Sequence, residues 1–173
     1  DVYKRQIGNS TTTPRDLEND LDVWIIQIAL AESVAARLRK HGFKCKTVEI
    51  TVRDNGLYSF SRQIHLRQPT NITNEIVTAA FQLFKDNYKW EHPIRSLGIR
   101  AADLVLDDIP VQLDLFGNQE KKEKLEKLDR TVDEIRRRFG YFSIQRAAMY
   151  QDKVLSHLDA GTHTIHPHSY FHG

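Results

Sequence analysis

Three groups of residues in this sequence have side chains suited to act on another molecule. Thr47, Glu49, Thr51 and Arg53 alternate with apolar neighbours, and Ser61, Gln63, His65 and Arg67 follow at the same spacing. Short hydroxyls beside guanidinium groups suit the oxygens of a phosphate backbone, which need donors and positive charge but carry no base identity. The same residues would serve as the solvated side of an antiparallel sheet. The second group is VQLDLFG, Val111 to Gly117, in which Leu113, Leu115 and Phe116 are large, apolar and too isolated to build a core. It is either a minor strand of this protein or a plug for a pocket in another. The third group is His163, His166, His168 and His172 near the end of the chain. A polar terminus offers such rings no outer hydrogen bonds to fix them, so no metal site is expected there.

Catalytic motifs are missing. There is no Gly-rich phosphate loop, no HExxH, no CxxC, and no Ser or Cys nucleophile with a paired base. The carboxylates are scattered, with no pair suited to two-metal chemistry. No catalytic residue is therefore assigned. The single Cys45 excludes an internal disulfide, pointing to a reducing, cytoplasmic compartment. With 173 residues the chain can hold one domain and a tail, or two small domains. Hydrophobic residues at 40% and charged residues at 28% are those of an ordinary folded protein. No apolar run approaches the roughly 20 residues that span a bilayer, and no membrane association is expected. The net charge of +2 is unevenly spread, the front part being mildly basic and the tail near neutral. A first residue other than Met suggests a fragment, and the opening DVYKRQ carries little weight.

The elements that must position these residues follow from periodicity. Tyr3 to Asn9 suits a first short strand. Thr13-Pro14-Arg15-Asp16 has the pattern of a helix start, with Thr13 as cap and Pro14 in the first turn. Leu21, Trp24, Ile25, Ile28, Ala31, Val34, Ala35 and Leu38 then repeat at helical spacing, and Gly42 suits the residue just past the end. Lys44 to Arg53 alternates as a half-buried strand, Asp54-Asn55-Gly56 is a turn, and Tyr58 to Arg67 returns as a hairpin partner. Pro69-Thr70-Asn71 breaks that strand. A second helix spans Ile72 to Tyr88, with Ile76, Val77, Ala80, Phe81 and Phe84 on one face. Ile94 to Leu104 is the last strand. Parity places Phe60, Arg62, Ile64 and Leu66 together, where Arg62 fits poorly; a bulge near Ser59 to Arg62 would resolve it.

The order β-α-β-β-α-β predicts an α+β fold. It is the split βαββαβ, ferredoxin-like arrangement: a four-stranded antiparallel sheet with two helices on one face, followed by a partly helical tail. The polar rows then lie on the uncovered face. We expect this domain over 1–105, a linker with the VQLDLFG motif over 106–119, a helical extension over 120–158 and a disordered tail over 159–173. In the extension Leu125, Leu128, Val132, Ile135 and Phe139 repeat at helical spacing up to Gly140, and SIQRAAMY adds a short second helix.

Ile7 to Asp16 (IGNSTTTPRD), Thr51 to Gln63 (TVRDNGLYSFSRQ) and His92 to Leu104 (HPIRSLGIRAADL) resemble the little-finger domain of bacterial Y-family translesion DNA polymerases of the polymerase IV and V type. The resemblance covers about residues 4–105 in order. It implies a domain that grips a template-primer duplex through its backbone, without reading sequence. Matched motif by motif, the implied DNA-contacting residues are Gly8, Asn9, Ser10 and Thr11, then Ser61 and Arg62, then Arg95, Ser96 and Arg100. Arg5-Gln6 departs from the Lys-Ser pair of the family. The palm, fingers and thumb are not in this chain. The resemblance therefore implies no cofactor in this fragment, and Mg2+ only for the palm of the parent polymerase.

Beside such a domain, Gln112, Leu113, Asp114, Leu115 and Phe116 are similar to the pentapeptide by which bacterial polymerases bind the sliding clamp. The amide of Gln112 would hold the pocket rim while the apolar side chains fill a preformed groove, each worth roughly 1.5–3 kcal/mol when fully buried, less the cost of ordering the segment. The expected partners are duplex DNA and the clamp, for a monomeric chain. Two other classes stand beside this one. An autonomous clamp-binding adaptor would be a complete protein, and an RNA-binding module of the same topology would want stacking aromatics on its middle strands.

Overall fold

Alternation in the sequence becomes four strands. The computed structural model describes residues 6–108 and 118–158. Its first part runs β1 (Ile7–Leu17), α1 (Asp20–His41), β2 (Phe43–Asp54), β3 (Ser59–Thr70), α2 (Thr73–Asn87) and β4 (Ile94–Leu106). The strands form one antiparallel sheet in the order β1-β4-β2-β3. Both helices cover the same side, so the fold is the split βαββαβ sheet with one face free. Val48, Ile50 and Val52 of β2 and Leu97, Ile99 and Ala101 of β4 supply the sheet's share of the core. Ile76, Ala80 and Phe84 of α2 pack over them, and Trp24 of α1 meets Phe81 of α2 edge to face at 5.1 Å.

The start of α1 differs from the sequence expectation. Thr13 does not cap a helix; it lies in β1, and its hydroxyl sits 2.6 Å from the carbonyl oxygen of Arg15 and 3.1 Å from that of Arg95. The cap is Asn19, whose side chain accepts from the Asp22 backbone N–H at 3.0 Å. The physical reason is the edge position of β1. Thr11, Thr12 and Thr13 are β-branched and favour a strand, and Pro14 is tolerated there because an edge strand leaves part of its N–H row unpaired. The register with β4 slips between Thr12 and Leu17, which absorbs the proline. The same reasoning applies to β3, which continues through Pro69 to Thr70 because it is the other edge. Between Ser59 and His65 its register with β2 is unbroken, so no bulge occurs at Arg62; the slip lies between Cys45 and Thr47.

A further layer lies outside the two helices. After α3 (Asn118–Phe139) come two 3₁₀ turns (Tyr141–Ser143 and Ala147–Gln151) and a short α4 (Lys153–Ser156). Met149, Leu155 and Leu158 join the main core. This leaves α1 buried almost all round, including the polar Gln27, Glu32 and Arg39. The apolar stripe of α3 is not what docks it: Leu128 is 57% and Phe139 75% exposed, and the single buried residue of the helix is Asp129. Contact is made instead through a charged stripe. Lys122 donates to Gln68, Asp133 accepts from Arg39 at 2.7 Å, and Arg136 pairs with the buried Glu32 at 2.6 Å. Asp129 accepts from Arg39, from the Thr73 backbone N–H at 2.8 Å and from Arg146. Each buried charge thus meets a partner, as burial requires. Gln112 to Phe116, like the expected tail from 159 onward and its histidines, lies outside the described residues.

Candidate nucleic-acid interface

The uncovered face is ordered into rows by the strand register. Because side chains alternate, residues directly paired across neighbouring strands share a side. One row reads Thr12, Ser96, Arg53, Ser59 from β1 to β3; the next Ser10, Gly98, Thr51, Ser61; the third Gly8, Arg100, Glu49, Gln63. A fourth, from β4 to β3, holds Ala102, Thr47 and His65. Rows are about 6.7 Å apart, two residues of strand. Seven of the fifteen residues in these rows are Ser or Thr, whose hydroxyls have little reach, so the surface they make is shallow and close to the backbone. It is concave in two places, one lined by Ser10, Thr51, Arg53, Ser59, Ser61 and Ser96, the other by Gly8, Ser10, Glu49, Ser61 and Arg100.

Charge on this face is positive but not uniformly available. Arg100 is ion-paired to Glu49 and also donates to Gln6 at 3.2 Å. Arg53 is exposed beside Ser59 and Ser96, and no side-chain hydrogen bond engages it among the described residues. Arg95 is the extra residue of a bulge, because Arg53 pairs with Ser96 and Asp54 already with Ile94. A bulge re-aims its side chain, and Arg95 is exposed at the rim. At the β1 edge, Arg37 of α1 donates to the Gly8 carbonyl, and burial holds its guanidinium below the usual range.

Of the residues the sequence assigns to the interface, Gly8, Ser10, Ser61, Ser96 and Arg100 come together on the free face, with Arg95 at its rim. Asn9, Thr11 and Arg62 do not. Asn9 and Thr11 have the opposite parity and are buried on the helix side, where the Asn9 amide donates to Ser33 at 3.1 Å. Arg62 projects from the β3 edge toward α2; it donates to Asn87 at 3.2 Å and lies 5.4 Å from the centre of the Phe60 ring. Arg53 is the residue the assignment missed. Its parity with Thr51 placed it on the face, and its charge is the accessible one.

Aromatic rings lie elsewhere. Tyr58, Phe60, Tyr88, Phe84 and Trp90 form a ladder with neighbouring centroids 5.3–6.1 Å apart on the side of β3 and α2. None of the residues forming the four rows is Phe, Tyr or Trp. Cys45 is buried and its thiol is pushed up to about 12 by that burial, so it is not a nucleophile. Among the described residues no group of three His, Cys, Asp or Glu is placed to hold a metal ion, and no helix is long and apolar enough to cross a membrane.

The chain is similar to known proteins. Residues 4–115 match the model of the impB/mucB/samB family C-terminal domain. A DNA polymerase IV of Acetivibrio thermocellus is 44% identical over 154 residues, which are 89% of this chain and 39% of that protein. DNA polymerase IV 2 of Bacillus subtilis is 35% identical over 149 residues, 84% of this chain and 35% of that protein. The chain thus spans little more than a third of the length of these relatives. A solved structure described as a complex of the beta-clamp processivity factor and the little finger domain of PolIV superposes with a TM-score of 0.49 at 15% identity, over 65% of this chain and 99% of that one. With the family model matched over most of the folded part, the chain belongs to the impB/mucB/samB family and carries its C-terminal domain.

Proposed function

We propose that this chain is the part of a translesion DNA polymerase that grips duplex DNA and docks on a sliding clamp. The observation that carries the DNA reading is the free sheet face, where hydroxyls from all four strands are set in rows among Arg53, Arg95 and Arg100. Hydroxyls and guanidinium groups reach phosphate oxygens without distinguishing bases, so the grip is indifferent to sequence. The lack of Phe, Tyr and Trp in the rows goes against a single-strand module, which binds by stacking. Gly8 and Gly98 keep the face low enough for a backbone to approach. Asn9 acts from beneath it, holding β1 against α1 through Ser33.

Clamp docking rests on the sequence of Gln112 to Phe116 and on its place directly after the domain. Tethering to a ring would raise the local concentration of the polymerase at a primer end. Polymerisation, and the Mg2+ it uses, are proposed for the whole protein rather than for these residues. Binding of the 173-residue chain to duplexes of unrelated sequence, titrated against salt, tests the grip. We expect equal affinities and a steep fall with salt; affinity that ignores salt or follows sequence sinks the reading. The double change Leu115→Ala, Phe116→Ala should abolish clamp binding and leave DNA binding intact.

A further inference from the structure

At the end of the free face a histidine is held in a defined tautomer. The Thr47 oxygen lies 2.5 Å from Asp103 Oδ2 and 2.8 Å from His65 Nδ1. An ionised carboxylate only accepts, so the single hydroxyl proton of Thr47 goes to Asp103. The Thr47 oxygen is then the acceptor for His65, and Nδ1 must carry the hydrogen. That leaves Nε2 as the site where the ring gains or loses its second proton. The arrangement is built rather than incidental. Thr47 is 1% exposed, and Asp103 reaches it from a left-handed backbone conformation, φ 52°, that few residues other than glycine adopt. His65 itself is 72% exposed at its side chain.

We propose that His65 is a further phosphate-binding residue of the interface, donating from Nε2 to a duplex-backbone phosphate in its protonated form. This rests on the DNA reading given above and extends it. His65 shares the face with Ser61 and lies two rows, roughly 13 Å, beyond it along β3. An imidazolium there adds a charge beside the third row, which is weakened by the Arg100–Glu49 pair. Asp103 of β4 lies 4.0 Å from Nδ1; the other charged groups at neighbouring strand positions are Lys46 and Glu49 of β2, Arg100 of β4 and Arg67 of β3. Glu49 and Arg100 neutralise each other. Histidine side chains change charge between about pH 5 and 8, so this contact strengthens as pH falls through that range. Binding and proton uptake are linked, since a phosphate at Nε2 stabilises the protonated ring.

The test compares the full chain with His65→Gln in duplex binding at pH 6 and pH 8, in phosphate-free buffer at constant ionic strength. At pH 6 the variant should bind roughly threefold to fivefold more weakly, the effect of one exposed charge pair; at pH 8 the two should agree. A second readout is the imidazole NMR signal of His65, whose titration midpoint should rise when duplex is added. Equal loss at both pH values, or no loss at either, overturns the proposal while leaving the DNA reading in place. Absence of DNA binding by the unsubstituted chain overturns both. If inorganic phosphate alone moves the His65 signal as far as duplex does, the residue is a free-phosphate site and the proposal fails.

Discussion

Gly98 and Thr51 sit side by side in the second row of the free face, so close that a Cβ on Gly98 would penetrate the Thr51 hydroxyl and stand 3.1 Å from Ser10 Cβ. The glycine is required by its neighbour rather than by its own backbone. Gly98→Ala should cost about 1–3 kcal/mol, the usual penalty of overpacking. Thermal unfolding of the single variant and of Thr51→Ala, Gly98→Ala together gives a clean check. The second change makes room, so the double variant should recover most of the loss. Additive losses would mean that the strain lies elsewhere.

Arg53 and Arg100 carry the same formal charge but should not contribute equally. Arg53→Ala is expected to weaken duplex binding and to lower the slope of log affinity against log salt by about 1. Arg100→Ala should change that slope less, because Glu49 already neutralises the guanidinium. Glu49→Gln, which removes a negative charge from the face and releases Arg100, should tighten binding. Salt titrations of the three variants rank them directly.

Asp129 should be among the most sensitive positions for stability. It accepts from Arg39, Arg146 and the Thr73 N–H, and the side chains of Arg39 and Asp129 are 4% and 8% exposed. Asp129→Ala leaves a buried guanidinium short of a partner, a loss of about 3 kcal/mol or more. For a chain of this size that lowers Tm by roughly 6–12 °C. Leu128→Ala, one residue away on an exposed side, should leave Tm within about 2 °C.

Acid should remove part of the stability that the C-terminal segments contribute. Asp152 accepts from the backbone N–H groups of Leu155 and Val154 and from Arg15 at 2.5 Å. The Leu155 N–H, followed by Arg15, holds its carboxyl below the ordinary value of 3.8. A depressed carboxyl contributes stability above its ordinary value and loses it as pH falls through the depressed one. Thermal melts between pH 6 and pH 2 should therefore drop below about pH 4, and Asp152→Asn should flatten that part of the curve.

How much of this was legible beforehand depends on which interaction decided each element. The hairpin and the free face were readable because alternation in β2 and β3 is regular, and their pairing keeps Thr51 opposite Ser61 as parity requires. The start of α1 was not, because Thr13-Pro14 fits a helix entry locally and only the edge position of β1 makes it a strand. The outer layer was hidden for a different reason. The spacing of Leu125, Leu128, Val132 and Ile135 marked an apolar side on α3, whereas docking runs through Lys122, Asp129, Asp133 and Arg136. A signal did exist in α1: Glu32 and Arg39 stand seven residues apart beside the apolar Ala31, Val34, Ala35 and Leu38, and charges placed so need partners from outside the helix. Asn9 and Thr11 were misplaced relative to the free face because a motif match names neighbours along the chain, while a strand sends successive side chains to opposite sides.

The position of α1 has a consequence for how the molecule opens. A helix covered by the sheet on one side and by the C-terminal segments on the other cannot shed either without exposing Leu38, Ala35 or Leu30. Its amide hydrogens should then be the slowest in the protein to exchange with deuterium, and the C-terminal segments should unfold with the sheet in one transition. The segments from Tyr141 to Leu158 belong to the folding unit they follow.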